Sequence, residues 1–293
     1  MNIYITGGTG FVGSHLVRSL DDSLNITIGS LNPDKTALEL PQSVKLEKID
    51  VTKSETLDFK NQDIVVHLVA LSPLKDPVNK THKEVHFEGT KNVLKTAIND
   101  KVDKIVHLSA LGADPKGETR YIRAKGKAEE LVKKSSMDHV IFKPSVLFGK
   151  GDEFINEIED LSKKIPIFPL PMKGKTEFQP LYIKDLTKAI SQSITEDKWN
   201  NSSYEVGGPE KLDLKEVVAR VYESQNRVPR FVSIPSAFIF TFLTLANFIP
   251  FVPYSQEQYK MLQIDNVAKN NEIFNFDIEE GNLTSLMSYL VEK

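Results

Sequence analysis

The sequence predicts an α/β fold, a doubly wound parallel sheet with a smaller, mostly C-terminal lobe. Three observations predict it. An apolar run at residues 1–5 breaks into a glycine-rich loop and then into apolar residues at helical spacing. Short apolar runs alternate with helical patterns to about residue 150. Beyond Gly149 the alternation loses regularity and prolines cluster at Pro166, Pro169, Pro171 and Pro180.

The first strand leads into Thr6-Gly7-Gly8-Thr9-Gly10-Phe11-Val12-Gly13, after which Val12, Leu16, Val17 and Leu20 recur at helical spacing. Gly7, Gly10 and Gly13 form G-x-x-G-x-x-G. That spacing makes a tight turn whose backbone N–H groups approach a pyrophosphate at the positive end of a helix. A bulky side chain at Gly10 would block the approach. Thr9, Phe11 and Val12 lie on the same loop and are candidate dinucleotide contacts. An ordinary strand-to-helix turn carries glycines too, so the rest of the chain decides.

Strands are expected at residues 25–29, 44–49, 63–70, 104–110 and 139–142, with helices at 81–99 and 125–134. This is a βαβ rhythm with right-handed crossovers, the pattern of a Rossmann-type sheet. No internal repeat, heptad run or low-complexity tract interrupts it. Residues 1–150 are read as the dinucleotide-binding domain, with some later segments returning to it, and residues 151–293 as the smaller substrate or partner lobe.

In such sheets the ligand lies at the carboxyl ends of the strands. Asp50-Val51 ends the third strand, where a carboxylate can accept an adenine amino group or simply start a loop. Val69, Ala70 and Leu71 end the fourth, where small side chains let the backbone pass close to a ribose. Ser109-Ala110 ends the fifth. The second strand ends in Gly29-Ser30-Leu31-Asn32-Pro33-Asp34-Lys35, with neither the acid that marks NAD nor an arginine that marks a 2′-phosphate. Ser30, Leu31 and Asn32 are candidate cofactor contacts. Ser30, Asn32 and Lys35 tilt the reading toward NADP(H) over NAD(H), although the same residues also form turns.

With 293 residues the chain can bury a large core, and its net charge of −3 is scattered in both signs. No basic stripe of the kind that binds nucleic acid is present. Cysteine is absent, which removes disulfides, thiolate nucleophiles and thiolate metal sites. The first strand starts at residue 1, so no secretory leader is expected and the cytoplasm is the default compartment. Residues 238–249 are nearly all apolar and are flanked by Pro235, Pro250 and Pro253. The run is shorter than the about 20 residues that span a bilayer. It reads as a helix buried against the domain or a twin subunit, or as a lid or peripheral membrane- or complex-facing surface over residues 235–253.

Tyr121-Ile122-Arg123-Ala124-Lys125 places a phenol and an ammonium one helical turn apart on one face. A neighbouring cation favours phenolate and lowers a tyrosine pKa toward the range that acid–base catalysis of carbonyl reduction or alcohol oxidation needs.

From here the chain resembles the extended short-chain dehydrogenases/reductases. The resemblance runs through residues 6–13, Asp50-Val51, Val66-His67-Leu68-Val69-Ala70, Gly89-Thr90-Lys91-Asn92-Val93, Tyr121 with Lys125, and Lys143-Pro144-Ser145-Val146-Leu147-Phe148-Gly149. Ser109-Ala110-Leu111-Gly112-Ala113-Asp114, Phe178-Gln179-Pro180-Leu181-Tyr182-Ile183-Lys184-Asp185, Gly207-Gly208-Pro209 and Gln263-Ile264-Asp265-Asn266-Val267 look like its atypical group, typified by the alpha-subcomplex subunit 9 of respiratory NADH:ubiquinone oxidoreductase. The resemblance implies Tyr121 as acid/base, Lys125 as its activator and as a ribose ligand, and Pro144 and Val146 as cofactor contacts. Leu111 occupies the usual catalytic serine position, leaving Ser109 as the candidate substitute, and His86 stands where the family has asparagine. No metal site is expected, since His67, His82 and His86 lack a carboxylate or thiolate cluster and read as satisfied loop or helix histidines.

Three functions follow as expectations. The first is an NAD(P)-dependent oxidoreductase or isomerase acting on an apolar or weakly charged substrate, because the Phe-rich segment belongs to the lobe that covers the pocket. The second is a non-catalytic cofactor-binding subunit of a larger, membrane-associated complex. The third, a nucleotide-sugar epimerase or dehydratase, suffers most from Leu111 and His86.

Overall fold

The computed structural model describes residues 1–73, 79–234 and 256–293. The segment 235–253, read above as a buried helix or a membrane- or partner-facing surface, lies outside the described residues. Seven strands form one sheet in the order β7-β6-β5-β4-β1-β2-β3, where β1 is Asn2–Thr6, β2 Asn25–Ser30, β3 Lys45–Lys48, β4 Ile64–His67, β5 Lys104–Leu108, β6 Asp138–Pro144 and β7 Ser202–Val206. Every neighbouring pair is parallel. The order reverses between β1 and β4, so the loops leaving these two strands face each other and open a crevice.

The side-chain period of two explains how one strand feeds two cores. Ile3 and Ile5 face one layer with Leu16, Val66, Val106 and Phe142. Tyr4 faces the other with Ile49, Phe59, Val65, Val93 and Ile105. The central strands β4 and β5 are buried along their whole length, as strands covered on both faces must be. β3, Lys-Leu-Glu-Lys, ends the sheet with charged, mostly exposed residues that discourage edge pairing.

Helices α1 (Phe11–Val17) and α5 (Ile183–Thr195) lie on the first face, and α2 (Gly89–Asn99) and α3 (Arg120–Lys133) on the second. A separate core belongs to the later part of the chain. There Phe154, Ile155 and Ile158 of α4 (Phe154–Lys164) meet Val217, Val218 and Val221 of α6 (Leu214–Ser224) and Leu286 and Leu290 of the C-terminal helix Leu286–Glu292. An Asp213/Glu216 capping box starts α6.

The structure departs most from the sequence expectations in three places. The fourth strand ends at His67 rather than at residue 70, which frees Leu68, Val69, Ala70 and Leu71 to form the crevice wall. The 81–99 helix is divided into a π-helical turn, Lys83–Glu88, followed by α2. The 125–134 helix starts at Arg120, because the Thr119 hydroxyl caps the Ile122 N–H and Glu257 accepts the Arg120 N–H at 2.7 Å. α5 and β7 come from beyond residue 150 and complete the seven-stranded sheet and its core.

Candidate functional site

The glycine loop packs directly against the loop leaving β4. Gly7 has φ +77°, and a Cβ there would lie 2.9 Å from the Val69 nitrogen, so both conformation and space require glycine. At Gly13 a Cβ would lie 2.4 Å from Gly8 Cα and 2.5 Å from the Gly7 oxygen, which lets α1 seat on the turn. Gly13→Ala is therefore expected to destabilise the fold by about 1–3 kcal/mol, read from urea unfolding midpoints; an unchanged midpoint would contradict the close packing. Gly10 differs. Its Cβ would meet only the Gly7 oxygen, at 3.3 Å, and the residue is exposed. The protein leaves room there. No side chain caps the start of α1 at Gly10.

The crevice has a volume of about 760 Å³. Its walls bring together Gly7, Thr9, Gly10, Phe11, Val12 and Gly13 of the loop, Ser30 and Leu31 after β2, and Asp50 and Val51 after β3. They also include Val69, Ala70 and Leu71, then Ser109, Tyr121 and Lys125, and then Pro144 and Val146. Asn32 does not line it. Its N–H donates to the Ser30 hydroxyl at 3.3 Å and its carbonyl accepts the Lys35 N–H, so it serves the turn. Ser30 also pairs with Thr9 through their hydroxyls, 2.6 Å apart, fastening the end of β2 to the glycine loop.

Asp50 starts the loop that follows β3. Its carboxylate accepts from the Thr52 N–H and hydroxyl and pairs with Lys80, and these bonds hold it below the usual carboxylate range against the opposing effect of burial. Lys80 itself lines the crevice and was not among the predicted site residues. Met261, Leu262 and Ile264 were missed too, because no spacing rule places a distant segment over the opening. They reach it through the helix Gln256–Met261, which the Thr119 and Glu257 bonds dock onto the start of α3, the Thr119 hydroxyl donating to Met261 Sδ at 3.2 Å. Asn266, quoted in a resembling string, lines the crevice and accepts from the Ser145 hydroxyl and the Val146 N–H at 2.8 and 2.6 Å.

Tyr121 and Lys125 sit one turn apart in α3, and both line the crevice. Lys125 is 2% exposed and donates to the Leu108 carbonyl at 2.8 Å. Burial brings its ammonium down to about 8. The expected lowering of the Tyr121 pKa is not found: desolvation pushes the phenol above its ordinary value. Ser109 does not present its hydroxyl as the substitute catalytic serine would. It donates at 2.9 Å to Glu129, a buried carboxylate that also pairs with Lys133 and needs such donors. Leu111 lines the crevice at the usual serine position.

The histidines divide. His67 bonds to the hydroxyls of Thr6 and Thr90 and is satisfied. His86 accepts the Leu71 N–H through Nε2, but its Nδ1 has no hydrogen-bond partner, and neither nitrogen of the buried His107 has one. The expectation of satisfied histidines therefore fails for His86, because one nitrogen faces no polar atom. Among the described residues no group of three His, Cys, Asp or Glu side chains could hold a metal, and no helix is long and apolar enough to cross a membrane.

The model of the NAD dependent epimerase/dehydratase family matches residues 3–207. The chain belongs to this family. A curated relative, the mitochondrial NADH dehydrogenase [ubiquinone] 1 alpha subcomplex subunit 9 of Arabidopsis thaliana, is 26% identical over 79% of this chain, which spans 60% of that relative's length. The UDP-glucose 4-epimerase of Vibrio cholerae is 27% identical over 74% of this chain and 74% of its own. Among solved structures, the Thermus thermophilus UDP-glucose 4-epimerase in complex with NAD superposes with a TM-score of 0.66 at 19% identity, covering 90% of this chain and 98% of that one. That likeness concerns the fold.

Proposed function

We propose that the protein binds a nicotinamide dinucleotide in the crevice and exchanges hydride with an apolar or weakly charged carbonyl or alcohol compound, with Tyr121 as the acid/base. One observation carries the reading: Tyr121 and Lys125 line the same crevice as the glycine loop. The residues fit the cofactor, since the exposed Gly10 and the uncapped start of α1 leave a cradle that a side chain would fill. Asp50, Val51, Val69, Ala70, Leu71, Pro144 and Val146 would flank it. NADP(H) is proposed ahead of NAD(H), because Ser30 ends β2 with no carboxylate to repel a 2′-phosphate.

The bound dinucleotide supplies the hydride. The chain supplies the proton. Burial keeps the Tyr121 phenol protonated, which suits it to donate to a carbonyl oxygen and favours reduction over oxidation. Lys125, held by the Leu108 carbonyl, is positively charged at neutral pH and stands ready for the ribose hydroxyls. The lobe side of the crevice is walled by Leu111, Phe154, Phe178, Met261, Leu262 and Ile264. Among the described lining residues the cations are Lys80, paired with Asp50, and Lys125, bonded to Leu108. That lining favours an apolar substrate over a nucleotide-sugar diphosphate, which needs cationic partners.

A second reading, a non-catalytic cofactor-binding subunit of a larger, membrane-associated complex, is favoured by Leu111 at the serine position and by the engagement of Ser109 with Glu129. In that reading the protein is cytoplasmic and peripheral at a membrane, and segment 235–253 makes the contact. Oxidation of reduced dinucleotide, followed by its absorbance over a panel of apolar ketones and aldehydes, separates the two readings, and UDP-sugars are followed by NMR for epimerisation because an epimerase returns its hydride. Consumption with an apolar carbonyl class is expected. Tight dinucleotide binding with neither consumption nor epimerisation would replace the enzyme with the subunit.

A further inference from the structure

We propose that His86 is a positioning residue that ties the crevice wall at Leu71 to the ring of Tyr121, acting as the neutral imidazole with its proton on Nδ1. The inference rests on the dinucleotide reading of the crevice. His86 is 2% exposed and lies on the π-helical turn Lys83–Glu88, the kind of irregular turn that often marks a functional position. Its Nε2 accepts the Leu71 N–H at 3.3 Å, and an imidazole accepting there carries its hydrogen on the other nitrogen. The same ring meets Tyr121 edge-on, with centroids 5.4 Å apart and planes at 89°. His82 stacks on His86 at 5.5 Å and also meets Tyr121 edge-on at 5.5 Å, so two imidazoles from one turn bracket the phenol ring. Leu71 and Tyr121 both line the crevice, and His86 joins them from behind.

The backbone of this turn is fixed from the opposite end of the site. The Thr90 hydroxyl donates to the His86 carbonyl at 2.6 Å, so Thr90 Oγ1 must accept from His67 Nε2 at 3.1 Å. His67 Nδ1 then accepts the Thr6 hydroxyl at 2.7 Å. Thr6 is the last residue of β1 before the glycine loop. One run of hydrogen bonds thus leads from the base of the glycine loop to the carbonyl of the residue that braces Leu71 and Tyr121. The titratable groups facing His86 are Tyr121 and Lys125 of α3, His82 of its own turn, His67 of β4 and His107 of β5. All are cationic or neutral, an environment that holds His86 neutral and able to accept.

The test has two parts. Nitrogen-15 NMR of histidine-labelled protein should show His86, assigned by its loss in H86F, protonated at Nδ1 and bare at Nε2; a proton on Nε2 overturns the proposal. Fluorescence titration with NADH and NADPH should show H86F, which keeps an aromatic ring but loses the acceptor, binding about tenfold more weakly, as expected for a lost buried acceptor. H86N, which restores an acceptor without a ring, should recover most of that loss. Wild-type affinity in H86F overturns the proposal. If H86F fails to fold, the same resonance is assigned through H86N and the tautomer decides. If the wild-type protein binds neither dinucleotide, the cofactor reading falls, and the tautomer still decides the Leu71 bond.

Discussion

Replacing Tyr121 with phenylalanine is expected to lower turnover by about 10²–10⁴-fold, the usual contribution of a positioned acid/base, while dinucleotide affinity is unchanged. The substitution keeps the ring that packs against His82 and His86, so the wall of the crevice keeps its shape. What it removes is the phenolic proton proposed for transfer to the substrate. The wild-type pH profile carries a second signature. The phenol sits above its ordinary value and stays protonated through the neutral range, whereas Lys125 titrates at about 8. Reduction should therefore decline as pH rises through about 8 with the loss of the ammonium, and not through the tyrosine. Steady-state rates of wild type and Y121F across that range check both statements. A Y121F enzyme with the wild-type rate would remove Tyr121 from the chemistry.

Acid should unfold the protein steeply. His67, His86 and His107 are buried, and desolvation lowers all three, His67 to about 3. A histidine whose folded pKa is depressed stabilises the fold fully above its unfolded value of about 6.5 and loses that contribution as the pH falls, in the case of His67 down to about 3. Each such histidine contributes a slope of about 1.4 kcal/mol per pH unit, so three neutral ones give about 4 kcal/mol per unit. Against a typical total of about 5–15 kcal/mol, two or three units suffice to unfold the chain. Urea midpoints between pH 7 and pH 4 measure this directly, and a flat profile would contradict it. Carboxylates add to the same slope, so His107→Leu isolates the histidine part. Neither ring nitrogen of His107 has a hydrogen-bond partner, and the variant should be more stable than wild type at pH 5, with a shallower acid limb.

The sheet was legible in the sequence where chemistry and period coincide. The glycine loop and the residues named at the ends of β1, β2, β3 and β4 reach the crevice, Asn32 and Lys35 excepted. The later elements were harder to read. β7 and α5 sit beyond the proline cluster, and the place of β7 in the sheet and of α5 in its core depends on packing between segments far apart in the chain. The start of α3 was set by Thr119 and by Glu257, the latter from a distant segment. Side-chain commitments were the least legible. That Ser109 turns to Glu129, that Lys125 turns to the Leu108 carbonyl and that Tyr121 is pushed up rather than down all follow from burial, which no local spacing reveals.

Family membership and the glycine cradle both lead to the nicotinamide dinucleotide. Isothermal titration of the purified chain with NADPH and with NADH tests this reading most directly. One dinucleotide is expected to bind per chain, with NADPH the tighter of the two. No binding of either would contradict it.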